Sequence, residues 1–410
     1  MSVRQDADQI IRSALRAALP DTAVLKALEE IRFGPGRLVL VAAGKAAYQM
    51  AATAMDRLGS RVHSGVVITK YEHSKGPLPP LAVYEAGHPV PDENSYRATQ
   101  AAIDAVSGLT AQDNVLFLLS GGGSALFEKP LIDPKDLERL TGELLACGAD
   151  IVEMNTVRKR FSAVKGGKFA ALCAPARVYS VVLSDIIGDP LDMIASGPAY
   201  PDSSTAAQAK AIAKKYALTL TPEMEALLKL ETPKELANVQ TRITGSVRQL
   251  CTAAENACLD LGYAPVVLTA SLSCTARDAG VMLANIAQYH QDAKTSLAFI
   301  AGGETVVHLT GHGKGGRNQE LALAAAPGIA GIPGAAVFSL GSDGTDGPTD
   351  AAGGYVDGET AGTLAKKGID IFSILQDNNA YYALSACDGL IKTNPTGTNV
   401  NDVSVLLLKR

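Results

Sequence analysis

Short, wholly apolar runs that end in glycine, a hydroxyl or a charge recur along this chain, with helix-length segments between them. RLVLVAA, GVVITK, VLFLLS and RVYSVVLSD end near Ala43, Lys70, Ser120 and Asp185. Runs without polar alternation fit strands buried on both faces, which means a mostly parallel sheet covered by helices. Helical stretches fall between them at roughly 46–58, 94–107 and 134–147. The alternation predicts βαβ units and an α/β fold. It then repeats: helices over about 246–261 and 275–289, strands at PVVLTA, LAFIAGG, TVVHLT and AAVFSLG, and a closing strand VSVLLLK free to join either sheet.

At 410 residues the chain exceeds one ordinary core, so two domains are expected. The polar stretch 202–237, broken by Pro222 and Pro233, marks the transition. The division is 1–237, Rossmann-like with helices on both faces of its sheet, and 238–410, a smaller α/β domain; an active site is expected in the cleft between them.

A net charge of -5 with no long basic run argues against nucleic acid or an anionic membrane as partner. The uncharged stretch Leu321–Leu340 has the length of a membrane span, but Pro327, Gly328, Gly331, Pro333 and Gly334 break it, so a helix end, a loop and a buried strand are expected. Ile11, Leu15 and Leu19 at helical spacing before Pro20 predict an opening amphipathic helix in place of a signal peptide, and a cytoplasmic protein. The six cysteines are scattered with no C-x-x-C pair and read as buried reduced thiols.

In open α/β sheets ligands bind beyond the carboxyl ends of the strands, and here those loops carry the chemistry. VLVAAGKAA sets Gly44 and Lys45 before a helix N-terminus, which suits a phosphate or carboxylate as well as an ordinary turn. FLLSGGGSALF offers Ser120, Gly121, Gly122, Gly123 and Ser124, a backbone able to approach an anion; it is neither a Walker A loop nor a nucleophile elbow. NTVRKRFSAVKGGK opens on Asn155 and brings Arg158, Ser162 and Lys165 to about one helical face, either a solvated basic face or an acid-binding one. Asp185, Asp189 and Asp192 suit Mg²⁺, which one or two carboxylates hold together with substrate phosphates. Later loops supply Glu304; Arg317 and Asn318; Asp343 and Asp346; Thr396 and Asn399. GHGKGG satisfies G-x-G-x-x-G but lacks a clean βαβ unit around it, so it is not read as a dinucleotide fingerprint.

Taken together, VAAGKAA, GHPVPDENS, LLSGGGSALFEKP, VRKRFSAVKGGK, SDIIGDPLDMIASGP, AGGETVVHLTGHGKGGRNQELAL, GSDGTDGPTDAAG and PTGTNVND resemble the class II glycerate 2-kinases over nearly the whole chain. The carboxyl-terminal part of that family is known as the MOFRL domain, and some members carry the label hydroxypyruvate reductase. The resemblance implies transfer of the ATP γ-phosphoryl group to the 2-hydroxyl of D-glycerate, with ATP and Mg²⁺ required. It implies catalytic roles for Lys45 and Arg317. From the remaining residues we expect Mg²⁺ to bridge ATP phosphates to one or more of Asp185, Asp189 and Asp192, nominate Asp189 as base where one is needed, and set Arg158 and Lys165 on the substrate carboxylate. Phosphoryl transfer needs positioning and charge neutralisation more than covalent chemistry, which such cations supply. The chain departs from the family pattern at Ala42, at Ala301, at Asn394 in place of glycine, and at Asn378, Asn379 and Ala380. An NAD(P)H-dependent hydroxypyruvate reductase and a non-catalytic sensor of sugar acids or nucleotides are the competing readings, and homo-oligomerisation is left open.

Overall fold

The computed structural model describes residues 2–188 and 190–410. They form two compact units, Ala23–Thr244, and Met1–Thr22 together with Gly245–Arg410. Each has its own six-stranded sheet.

In the Ala23–Thr244 unit the strands are β1 (Leu38–Ala43), β2 (Ser64–Lys70), β3 (Leu81–Ala86), β4 (Asn114–Leu119), β5 (Arg177–Leu183) and β6 (Val239–Gly245), in the order β3-β2-β1-β4-β5-β6. The first five run parallel. Every residue of β1 and β4 is buried, as the unbroken apolar runs predict. Alternate residues feed two cores: Val39, Val41, Val115 and Phe117 pack into one, Leu38, Leu40, Leu116 and Leu118 into the other. Helices cover both faces, so the unit is doubly wound. The strand order reverses between β1 and β4, the topological switch point at which such folds bind ligands.

In the other unit the strands are β7 (Ala264–Leu272), β8 (Leu297–Gly303), β9 (Ala335–Gly341), β10 (Gly353–Asp357), β11 (Leu390–Ile391) and β12 (Asp402–Leu408), ordered β11-β10-β9-β12-β8-β7. β7 and β8 are parallel, and β12 runs antiparallel between β8 and β9. The closing strand thus joins this sheet, at its centre and wholly buried.

Three expectations change. The division at 237/238 moves to Thr244/Gly245, and the opening helix Val3–Ala18 leaves the first unit: Ala7, Ile10, Ile11 and Ala14 enter the core built on Val403, Val405 and Phe338. TVVHLT forms no strand; only Val306 bridges, to Thr275. The backbone N–H groups of Thr310 and Gly311 donate to the Asn378 side chain, so that segment's hydrogen bonds go to a loop and not to a sheet. Of the cysteines only Cys173, Cys251 and Cys258 are buried; all six are free. Among the described residues no helix is long and apolar enough to cross a membrane, and 321–340 divides between the helix Arg317–Ile329 and β9.

Candidate active site

The carboxyl ends of β1 and β4 meet at the switch point. Gly44 has φ 127°, and a Cβ there would stand 2.2 Å from the Ser120 Oγ, so the turn demands glycine twice over. The Lys45 N–H donates to the Gly121 carbonyl at 2.9 Å and the Ala46 N–H to the Ser120 Oγ at 3.0 Å. The helix Ala47–Leu58 starts there with no side-chain cap, leaving its positive end to a ligand. Lys45 is half-buried, and its ammonium makes no hydrogen bond or ion pair among the described residues.

The glycine turn is enclosed on two sides. A Cβ on Gly121 would meet the Asp185 carboxylate at 2.2 Å, which puts the end of β5 against the turn. A Cβ on Gly122, which has φ 84°, would meet both the Lys45 Cγ (3.1 Å) and the His88 ring (Cδ2 at 3.0 Å, Nε2 at 3.1 Å). His88 follows β3. Partial burial, then the charges of Lys45, Lys70 and His73, hold its pKa below the ordinary imidazole value. His88 was missed in the sequence; its signal was the unassigned GHPVPDENS motif.

Beyond the turn, Ser124 Oγ lies 2.9 Å from Ser196 Oγ, which donates to Asn155 Oδ1 at 2.9 Å. Ala195 and Ser196 hold φ of 49° and 60°, a conformation that costs non-glycine residues energy and clusters at functional sites. Ser196 was also missed.

The basic stretch does not form the predicted face. The helix Ile151–Arg158 gives way to a short turn that ends at Phe161. Lys165 is fully buried, donates to the Ser124 carbonyl at 2.7 Å and pairs with Glu128; burial pushes its pKa down to about 8. It therefore braces the glycine turn from inside, and the expected contact with a substrate carboxylate is corrected to a supporting one. Lys159 pairs with Asp202 at 3.0 Å and Arg160 donates to the Ser204 carbonyl at 2.8 Å, both buried. Arg158 stays half-buried, with a buried Nε that has no partner among the described residues.

Of the three aspartates proposed for a metal, Asp189 lies outside the described residues. Asp192 accepts from Ser203 Oγ at 2.6 Å with Lys159 Nζ at 3.9 Å, a setting that competes with a cation, and it drops from the metal set. Asp185, at a strand end against the glycine turn, fits Mg²⁺ as a single protein carboxylate with phosphates completing the shell. Among the described residues no group of three or more His, Cys, Asp or Glu is arranged to hold a metal unaided.

In the Gly245–Arg410 unit a second cluster forms where β8 and β9 end and β12 begins, Asp402 pairing in register with both Gly303 and Gly341. Arg317 opens the helix Arg317–Ile329. It forks onto Asp402 (Nε–Oδ2 2.6 Å, Nη2–Oδ1 3.0 Å) and meets Glu304 at 3.1 Å. Among the described residues two of its five donors are hydrogen-bonded, both to Asp402, and the Glu304 contact is an ion pair. Asp346 accepts from the N–H groups of Asn318 (3.2 Å) and Gln319 (2.9 Å), anchoring the same helix start; burial raises its pKa to about 6. Asp343 and Thr396 are joined by the Thr396 N–H (3.1 Å), and Asn399 Oδ1 accepts from the Asn401 N–H at 3.4 Å. Asn401 Nδ2 donates to Glu304 at 3.3 Å. Asp402 and Asn401, from the same polar loop as Thr396 and Asn399, join this cluster through Arg317 and Glu304. GHGKGG packs on 377–380, with a Cβ at Gly311 or Gly313 colliding with Asp377 or Asn379, so its glycines serve loop packing.

Residues 6–229 match a family model described as a domain of unknown function, DUF4147, and residues 297–402 match the MOFRL family. The chain is 47% identical to the D-glycerate 2-kinase of Thermotoga maritima over 99% of both chains, and 38% identical to the glycerate 2-kinase of Pyrococcus horikoshii over 100% of this chain and 98% of that one. A relative from Agrobacterium vitis, 38% identical over 100% of this chain and 95% of its own, carries a hydroxypyruvate reductase name. A Thermotoga maritima glycerate kinase crystal structure superposes with a TM-score of 0.95, covering 98% of this chain and 99% of that one at 47% identity. Fold, site and relatives together define an α/β phosphotransferase built from two units. Within that class, the chain belongs to the glycerate 2-kinase family, the MOFRL-containing glycerate kinases.

Proposed function

We propose that the protein is a cytoplasmic enzyme that transfers the γ-phosphoryl group of ATP to the 2-hydroxyl of D-glycerate, giving 2-phosphoglycerate and ADP. The observation that carries this reading is half-buried Lys45 at a helix N-terminus without a side-chain cap: its backbone N–H is bonded to the Ser120–Gly123 turn at the switch point, and its ammonium has no partner among the described residues. Lys45, the helix dipole and the turn's backbone hold phosphate oxygens. Asp185 would be the protein carboxylate toward Mg²⁺, which would supply neutralisation of the nucleotide's phosphate charge. Arg158 takes the substrate carboxylate, and Asn155 and Ser124 orient the acid. Arg317, oriented by Asp402 and Glu304, supplies a second cation to the transferring group, with Asn318, Asp343, Asp346, Thr396 and Asn399 shaping its surroundings.

The test is ADP release with D-glycerate and ATP, the product identified by ³¹P NMR as the 2- or 3-phosphate. NAD(P)H consumption with hydroxypyruvate and no ADP formation would reverse the reading in favour of a reductase. Lys45→Ala and Arg317→Ala should each lower kcat on the order of 10³-fold, as loss of a γ-phosphate clamp does. Near wild-type kcat in either variant removes that residue from the mechanism.

A further inference from the structure

We propose that His88 is the general base that takes the proton of the acceptor hydroxyl. This rests on the kinase reading and deepens it.

The position makes the case. His88 is carried at the end of β3, and its Nε2 and the Lys45 Cγ each lie 3.1 Å from the one point that a Cβ on Gly122 would occupy. A phosphoryl group held by Lys45 and the glycine turn therefore has the imidazole beside it. The ring is half-buried, and neither nitrogen has a hydrogen-bond partner among the described residues. Gly122, with its positive φ, admits the ring where a side chain would collide.

The titratable surroundings favour the basic form. Lys45, Lys70 and His73 face the ring with positive charge, and partial burial acts in the same direction. Of the acids around it, Asp92 lies beside Gly87 and is engaged by the Ser95 N–H (3.0 Å) and the Tyr71 hydroxyl (2.6 Å), and Asp185 lies against Gly121. His88 is thus neutral at neutral pH and able to accept a proton. In the step, the hydroxyl oxygen forms a bond to the γ-phosphorus and its proton passes to Nε2. The bond from that phosphorus to the bridging oxygen breaks, and its electron pair leaves with ADP.

The experiment is the pH profile of kcat for wild type and His88→Asn, with glycerate and ATP saturating. The wild type should lose activity on the acid side with a midpoint below about 6.5, the ordinary histidine value. His88→Asn should lose roughly 10²–10⁴-fold in kcat and lack that limb, with both KM values changed far less and thermal unfolding unchanged. His88→Ala should recover part of the loss when imidazole is added. A His88→Asn enzyme that keeps kcat within about threefold, well short of a general base's contribution, overturns the proposal. A wild-type profile with no acid limb does so as well, whether or not the variant folds. Failure of the wild type to form ADP overturns the kinase reading instead, and so the two failures are distinguishable.

Discussion

At the scale of single residues, the charges here are explained more by where they are buried than by how many there are. Asp346 is the clearest case. Its carboxyl is held at about 6 against an ordinary 3.8 because burial penalises the ion more than two backbone N–H groups stabilise it. The folded state therefore holds a proton that the unfolded state gives up, and stability falls as pH rises from about 4 to about 6. Asp346→Asn should flatten the Tm-against-pH curve in that window, which thermal melts across the range will show. Asn394 is a second case. The family pattern has glycine there, and its φ is 60°, the left-handed region that asparagine tolerates better than other side chains. Asn394→Ala should cost roughly 1 kcal/mol in denaturant unfolding, and Asn394→Gly far less.

At the scale of elements, the central strands and the edge strand β7 were legible, whereas β3, β6 and β10 were not. β1 and β4 declare themselves because burial on both faces requires an unbroken apolar run. β3 and β6 lie at the edges with half-exposed, polar-interrupted sequences, and β10 begins with two glycines, so none has a pattern to read. The basic stretch misled for the opposite reason. Five cations within eleven residues, 158–168, normally mean a solvated face, yet Lys159, Arg160 and Lys165 turn inward. Their partners, Asp202, Ser204 and Glu128, are distant in sequence, and only the fold brings them near. Lys45 and the glycine turn were legible because a helix N-terminus after a strand is a local feature, whereas His88 needed three strands to be set side by side. The β4 core gives an element-scale prediction. Phe117 lies 4.9 Å from Phe169 and 5.5 Å from Phe127 by ring centroid, all three fully buried. Phe117→Ala should destabilise this unit by about 3–5 kcal/mol, since the cavity has little room to collapse; chemical denaturation followed by circular dichroism measures it.

At the scale of the whole molecule, the chain's first helix belongs to its last unit. The opening helix could not be assigned from sequence, because its apolar face of Ala7, Ile10, Ile11, Ala14 and Ala18 specifies burial without naming a partner. The structure supplies one: those residues lie in one core with Val247, Leu250 and Ala254 of the helix Val247–Asp260 and with the strands β9 and β12. Polar contacts tie the same helix down, since buried Asp6 accepts from the Tyr263 hydroxyl at 2.7 Å and from Lys409 Nζ at 2.6 Å. A unit assembled from both ends of the chain closes a core over non-local contacts, at a loop-closure cost that grows only slowly with the length of the intervening segment. Ile10, fully buried, tests whether the helix is integral to that core. Ile10→Ala in the full chain should cost about 2–5 kcal/mol, expressed in one unit only. Hydrogen exchange should therefore quicken in β9, β12 and the helix Val247–Asp260 while β1 and β4 keep their protection. Uniform quickening in both units would mean that the two unfold as one cooperative body. Unchanged exchange everywhere would mean that the first helix is an appendage and not part of the core.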